Sequence, residues 1–219
     1  AGKTGSGQTS GLGDGFTADA ERLRPFWYGT KGQVVRIFGV ILAGGTLDLR
    51  GTSLTSTGSA ARIGGTDITI TLPGALNNDG LIVASRALNV HASDLSNLGA
   101  ASVMLGNRVD LTLTGQARNE GAIQSLTDLT LSTGGALTNL GTLAANHDAT
   151  LRIGGALTNG GNLLVNNALD IRAANLTTTA GSQLGGNDTT INVSGNATNG
   201  GEIFANNQLR FTVGGDLIN

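Results

Sequence analysis

From residue 46 onward the chain repeats a short apolar–polar–apolar figure: Leu47-Asp48-Leu49, Ile68-Thr69-Ile70, Leu88-Asn89-Val90, Leu111-Thr112-Leu113, Leu129-Thr130-Leu131, Leu151-Arg152-Ile153, Leu169-Asp170-Ile171, Ile191-Asn192-Val193 and Leu209-Arg210-Phe211. Alternation over so few residues predicts a half-buried strand, two side chains in and one out. After each triplet come a Gly-rich corner and an apolar anchor: Leu54, Leu76, Leu95, Ala117, Leu137, Leu157, Leu176, Ala197 and Leu217. Successive anchors are 22, 19, 22, 20, 20, 19, 21 and 20 residues apart, a period near 20. Another apolar residue closes the unit, as at Ile82, Ile123, Leu143, Leu163 and Ile203. No unit carries a helical period.

Two residues past the anchor stands Asn78, Asn97, Asn119, Asn139, Asn159, Asn199 or Asn219, with Ser56 and Thr178 in the remaining units. Stacked amides can hydrogen-bond to the same residue above and below, so these asparagines are the expected structural ladder. Two positions further is Gly at 58, 80, 99, 121, 141, 161 and 201, expected to supply positive φ at the corner. Three short strands and three turns in about 20 residues make one rung of a solenoid, which buries its apolar face only when rungs stack. The expected fold is all-β: a right-handed parallel β-helix of about nine rungs over residues 46–219, the hand being the one parallel crossovers adopt. At about 4.8 Å per rung the rod would measure roughly 43 Å.

Residues 1–45 depart from this grammar. Residues 1–15 have the composition of a flexible Gly/Ser-rich linker. Residues 16–45 form an N-terminal aromatic segment holding Phe16, Phe26, Trp27, Tyr28 and Phe38, five of the seven aromatics. Thr17 to Arg24 suits one helical turn, and Val34 to Leu42 suits one or two strands. The segment is expected to cap or enter the open end of the β-helix. Phe26, Trp27 and Tyr28 are also candidate partner-binding residues, since exposed aromatics make good anchors.

Composition narrows the function. Charged residues are 13% and aromatics 3% of 219, with 36 glycines and no cysteine. Disulfides, Cys-ligated zinc and Cys nucleophiles are thereby excluded, and a chain without cysteine suits export in an unfolded state. A net charge of −2 argues against nucleic acid and anionic membrane as partners. No apolar run approaches the roughly 18 residues of a transmembrane helix. A start at Ala1 reads as a processed or excised segment.

A β-helix invites comparison with polysaccharide-cleaving enzymes, whose acids converge on one face. The middle residues of the triplets give an outward column of Asp48, Thr69, Asn89, Thr112, Thr130, Arg152, Asp170, Asn192 and Arg210. Its two carboxylates are six rungs apart, about 29 Å, where one glycosidic bond needs them within about 10 Å. Arg152 and Asp170 are expected to form a solvated ion pair on adjacent rungs. Asp110, Asp128 and Asp148 are the nearest approach to an acidic cluster and are read as corner caps. His91 and His147 are read as solvated surface histidines. Gly64-Gly65-Thr66-Asp67 and Gly185-Gly186-Asn187-Asp188 lack the full calcium repeat, and Gly2-Lys3-Thr4 lacks the strand and upstream glycine of a phosphate loop. No catalytic residue, cofactor or metal is expected.

The units at 134–168 and 195–219, with Gly-Gly-Ala-Leu-Thr-Asn-x-Gly at 134–141 and 154–161, resemble the hemagglutinin repeats of the filamentous hemagglutinin family. These are two-partner-secretion exoproteins of Gram-negative bacteria and include contact-dependent growth inhibition effectors. The resemblance covers about 46–219. It implies a right-handed β-helical filament, secreted through an outer-membrane partner transporter and displayed at the cell surface. The family's Asn-Pro-Asn secretion motif and the Val-Glu-Asn-Asn boundary before many toxin domains are missing here. The expectation is a structural and adhesive shaft segment that presents binding or toxin modules and touches a target-cell receptor or glycan. The alternative is a β-helical polysaccharide-cleaving enzyme.

Overall fold

The computed structural model describes residues 34–219 and, for 26–28, the backbone. Every described element is a strand and every pairing is parallel, the consequence of a chain that winds in one sense and lays each strand on its counterpart one turn earlier. The fold is a parallel β-helix, a β-solenoid of about nine turns with spacing near 20 residues. A mid-rod coil runs Leu129–Thr133 on face I, Leu137–Asn139 on face II and Thr142–Ala145 on face III, then Ala149–Ile153 begins the next. Face II is a sheet of ten strands, from Val34–Ile37 to Leu217–Ile218, which at about 4.8 Å per step spans roughly 43 Å. Faces I and III belong to one 15-stranded sheet, because Arg62–Thr71, Leu81–Ala92, Gln183–Val193 and Glu202–Val213 turn the corner between them without a break. No helix among the described residues is long and apolar enough to cross a membrane.

Each face contributes inward columns to a single core. The anchors lie in register on face II, as Leu76 on Leu54 and Leu157 on Leu137, and all but Leu217 at the open end are buried. Face III adds Ile63, Ile82, Met104, Ile123, Leu143, Leu163 and Leu184, and face I adds columns such as Leu111, Leu131, Leu151 and Ile171. At about 1.5–3 kcal/mol for each large apolar side chain, the stacked columns supply the cohesion that one coil cannot. The repeat begins earlier than the triplets indicate. Val34–Ile37 pairs with Ser53 to Ser56, Val40–Leu42 with Arg62 to Gly64, and the backbone of Phe26–Tyr28 with Leu47 to Leu49. Val35 is thus one more anchor, seated on Leu54. The linker at 1–15, Phe16, the turn at 17–24 and the side chains of Phe26, Trp27 and Tyr28 lie outside the described residues.

Corner glycines serve two needs. Gly99 adopts φ +82 and Gly58 φ +86, the left-handed region expected of a corner glycine. Gly141 has no positive φ; a Cβ there would fall on the carbonyl oxygen of Gly121, one coil below. At that corner the missing side chain admits the neighbouring coil rather than an unusual turn.

The triplets misplace the outer register of face I. Leu111 pairs with Leu131, and Leu131 with Leu151, so Thr112 stands beside Ser132 and Asp110 beside Thr130. One outward column is therefore Asp48, Thr69, Asn89, Asp110, Thr130, Thr150, Asp170, Thr190 and Arg210. A second is Arg50, Thr71, His91, Thr112, Ser132, Arg152, Arg172, Asn192 and Thr212. A slip of two residues keeps every apolar side chain inward, which is why alternation alone does not detect it.

Outward chemistry differs by face. Face II shows Asn77, Ser96, Arg118, Thr138, Thr158, Thr177 and Thr198, polar like face I. Face III shows Leu42, Gly64, Val83, Leu105, Gln124, Ala144, Leu164, Gly185 and Phe204 in one row, mostly apolar. Phe204 lies across Gly185, and Leu42 leans over Gly64.

Candidate functional site

Titratable groups gather where face III turns into face I. Asp67, Ala87 and Arg108 are in register there, as are Ala168, Asp188 and Gln208, and Asp128 and Asp148 stand one residue ahead of the paired Leu129 and Ala149. Each aspartate is clasped from the coil above by the residue 19 positions later. Arg86 forks onto Asp67, His147 Nδ1 meets Asp128 Oδ1 at 2.9 Å, Asn167 Nδ2 donates to Asp148 Oδ1 at 2.7 Å, and Asn207 Nδ2 donates to Asp188. Backbone amides add to the clasp, Ala168 N on Asp148 at 3.1 Å and Asp148 N on Asp128 at 3.4 Å. The corner is a repeated carboxylate–donor staple between coils. Asp110 takes no part in it; it points outward from mid-strand on face I.

His147 is more than a solvated histidine. Its Nδ1 lies between Asp128 and Asp148, at 2.9 and 3.3 Å. The Asp128 hydrogen bond and the Asp148 charge raise its pKa above the ordinary 6.5. The same bond from His147 holds Asp128 below its usual 3.8. Ligand atoms of Asp128, His147 and Asp148 lie within 4.8 Å of one another, a set of one imidazole and two carboxylates able to receive a divalent cation. With His147 59% and Asp128 46% exposed, water competes for both groups, and the pairing is that of a surface staple.

Face I beside this corner carries two shallow grooves. One, about 340 Å³, is lined by Asp148, Asp170 and Asp188 together with Thr150, Arg172, Thr190 and Asn192. Asp148 precedes Ala149, which registers with Leu169, and Asp188 registers with Ala168, so the two carboxylates are two coils apart, roughly 10 Å. Asp170 Oδ1 is enclosed without a hydrogen-bond partner, while Oδ2 faces Arg172 Nε at 4.0 Å. The other groove, about 930 Å³, runs along the edge toward face II past Ser132, Arg152, Arg172, Asn192 and Ser194. The expected Arg152–Asp170 pair does not form, because register sets Arg152 beside Arg172. Outward carboxylates in the Asp48 column number three, Asp48, Asp110 and Asp170, each three coils from the next, about 14 Å. No two of them reach one glycosidic bond.

The asparagines lie inside the coil. Asn78, Asn97, Asn119, Asn139 and Asn159 are fully buried, and the first four each donate from Nδ2 to the next Oδ1 at 2.8 Å, while Asn159 Nδ2 donates to Gln183 O at 2.9 Å. They also tie coils together through the backbone, as Asn139 Nδ2 does to Asn162 O at 3.0 Å. The ladder breaks at Thr178, whose hydroxyl bonds to Asn199, and resumes as Asn199 Nδ2 to Asn219 Oδ1 at 2.7 Å. At the other end the buried Ser56 Oγ, in register with Asn78, has no partner. The staples and the like-charged arginines were not anticipated. Their signal was an aspartate followed 19 positions on by Arg, His or Asn, and an arginine repeated 20 positions on, one coil higher. Comparison with known proteins finds no match: no family model, curated sequence or solved structure aligns with the chain.

Proposed function

We propose that this chain is a shaft segment of a large secreted surface exoprotein, similar to filamentous hemagglutinins, that carries binding or toxin-delivery modules to other cells. The observation that carries the reading is the continuous buried amide ladder from Asn78 to Asn159, which locks five successive coils in one register. A 20-residue α-helix would span about 30 Å, whereas a solenoid coil advances about 4.8 Å. The solenoid spends residues on girth, hence on bending stiffness and lateral surface. That suits a load-bearing shaft built by repetition. The polar faces I and II supply alcohols and amides for weak contact with glycan or receptor. In the parent protein, export through an outer-membrane partner transporter accords with a chain free of cysteine.

The second reading is a polysaccharide-cleaving enzyme, and the groove lined by Asp148, Asp170 and Asp188 favours it. Two carboxylates roughly 10 Å apart approach the spacing at which one activates water and the other protonates the leaving oxygen. Incubating the chain with host and bacterial polysaccharides separates the two. A shaft leaves polymer length and reducing ends unchanged. New reducing ends, lost in Asp148→Asn and Asp188→Asn variants that remain folded, would overturn the shaft reading.

A further inference from the structure

The two outward columns of face I bring like charges into neighbouring register at one point. In the run Ser132, Arg152, Arg172 and Asn192, the two arginines stand directly side by side, about one strand spacing of 4.8 Å apart. Like charges placed opposite each other destabilise a sheet. Neither arginine is closely neutralised. Arg50, Arg86 and Arg118 each donate a side-chain hydrogen bond to a carboxylate. Arg152 has no ion pair among the described residues, and Arg172 Nε reaches Asp170 Oδ2 only at 4.0 Å.

The groove of about 930 Å³ runs along this pair. Its floor follows from missing side chains. Two residues after Ser132, Arg152 and Arg172 come Gly134, Gly154 and Ala174, and a Cβ on Gly154 would fall on the Gly134 carbonyl oxygen. Tight stacking of the coils thus requires glycine there and leaves a trough beside the arginines. Ser132, Asn192 and Ser194 add hydroxyl and amide groups along it. From Ser132 to Asn192 is three coil steps, about 14 Å, room for a short oligosaccharide.

The surrounding charge restricts the occupant. Asp170 adjoins Arg172, and Asp148, Asp170 and Asp188 line the second groove next to it. A densely charged polyanion laid along face I would meet these carboxylates within a coil or two of the arginines. A single carboxylate flanked by neutral sugars would not, and its planar geometry fits the guanidinium fork.

We propose that Arg152 and Arg172 together grip the carboxylate of a uronic acid in an otherwise neutral glycan segment, whose hydroxyls meet Ser132, Asn192 and Ser194. This rests on the proposed reading of the polar faces as glycan contacts, and it assigns the class of glycan and the coils that take it. The bound anion relieves the repulsion between the two arginines.

Amide NMR of the isotope-labelled full chain tests it, with aldotriouronic acid (glucuronic acid on xylobiose) titrated beside neutral xylotriose and inorganic sulfate. Saturable shifts are expected at the coils holding Ser132 to Ser194, with affinity for the acidic trisaccharide several-fold above that for xylotriose and falling as salt rises. Arg152→Gln with Arg172→Gln, both exposed, removes that advantage. Arg50→Gln, in the same column but paired with Asp48 at 2.9 Å, leaves it unchanged. Equal affinity for xylotriose, or an advantage that survives the double variant, would overturn the proposal. So would sulfate binding the same amides as tightly as the trisaccharide, an adventitious ion only. The ligand's own resonances separate this from the shaft reading: no shifts with intact sugar overturn the site alone, and cleaved sugar overturns the shaft as well.

Discussion

Replacing Asn139 by alanine tests how much of the rod's cohesion lies in the buried ladder. Asn139 Oδ1 accepts from Asn119 at 2.8 Å, and its Nδ2 donates to Asn159 Oδ1 at 2.8 Å and to Asn162 O at 3.0 Å. Asn119 keeps another acceptor, Thr142 O at 3.0 Å, so its amide is not orphaned. Asn159 Oδ1 loses its donor inside the core. Three hydrogen bonds at about 1 kcal/mol each, with a penalty of about 1–2 kcal/mol for the stranded acceptor, give a loss of about 4–5 kcal/mol. Urea unfolding followed by circular dichroism reads it as a fall in midpoint. Because a solenoid's stability is a sum of coil and interface terms, a central defect should also lower the slope by letting the two halves unfold separately. Asn199→Ala, near the open end where the ladder is exposed, should cost under about 1 kcal/mol. Equal losses at both sites, or a loss at Asn139 below about 1 kcal/mol, would refute the reasoning.

Other expectations follow from single contacts. Gly141→Ala should destabilise by about 1–3 kcal/mol because its Cβ meets the Gly121 carbonyl, whereas Gly45→Ala, with nothing within 4 Å, should leave the urea midpoint unchanged. Ser56→Ala removes a buried hydroxyl that has no partner and should stabilise by about 1 kcal/mol in the same assay. His147 should titrate above 6.5 by proton NMR and return toward that value in Asp128→Asn. Its raised pKa means the staple's contribution is full below pH 6.5 and lost as pH climbs through the folded-state value; Asp128, lowered from 3.8, loses its share as pH falls through its own depressed value. His147→Asn, which copies the Asn167 clasp on Asp148, should remove the neutral-pH dependence while keeping the fold; a dependence that persists unchanged would contradict the assignment.

The architecture was legible because one column, the anchor at Leu54, Leu76, Leu95 and onward, carries its own period and needs no knowledge of what lies opposite. The asparagines two places on inherit that phase, so their stacking could be read with it. Face I was harder. Leu129-Thr130-Leu131 and Leu131-Ser132-Thr133 both put Leu131 inside, and only the pairing of Leu131 with Leu111 decides which polar residue stands next to Thr112. Chemistry that depends on that choice, the Arg152–Arg172 neighbours and the groove lined by Asp148, Asp170 and Asp188, was therefore hidden. Val35 was missed as an anchor because its coil has Ile37 where later coils have asparagine. The apolar exterior of face III escaped notice because its residues read as core until the strand is built and alternate ones turn outward.

A stiff rod in which each repeat of about 20 residues adds one coil holds distant points of one face at a fixed separation. Spin labels at Thr55→Cys and Thr198→Cys, both outward on face II and seven coils apart, test it most directly by electron–electron distance measurement. A single narrow distribution near 34 Å is predicted, from about 4.8 Å per step. A broad distribution, or a separation far from that product, would contradict the account.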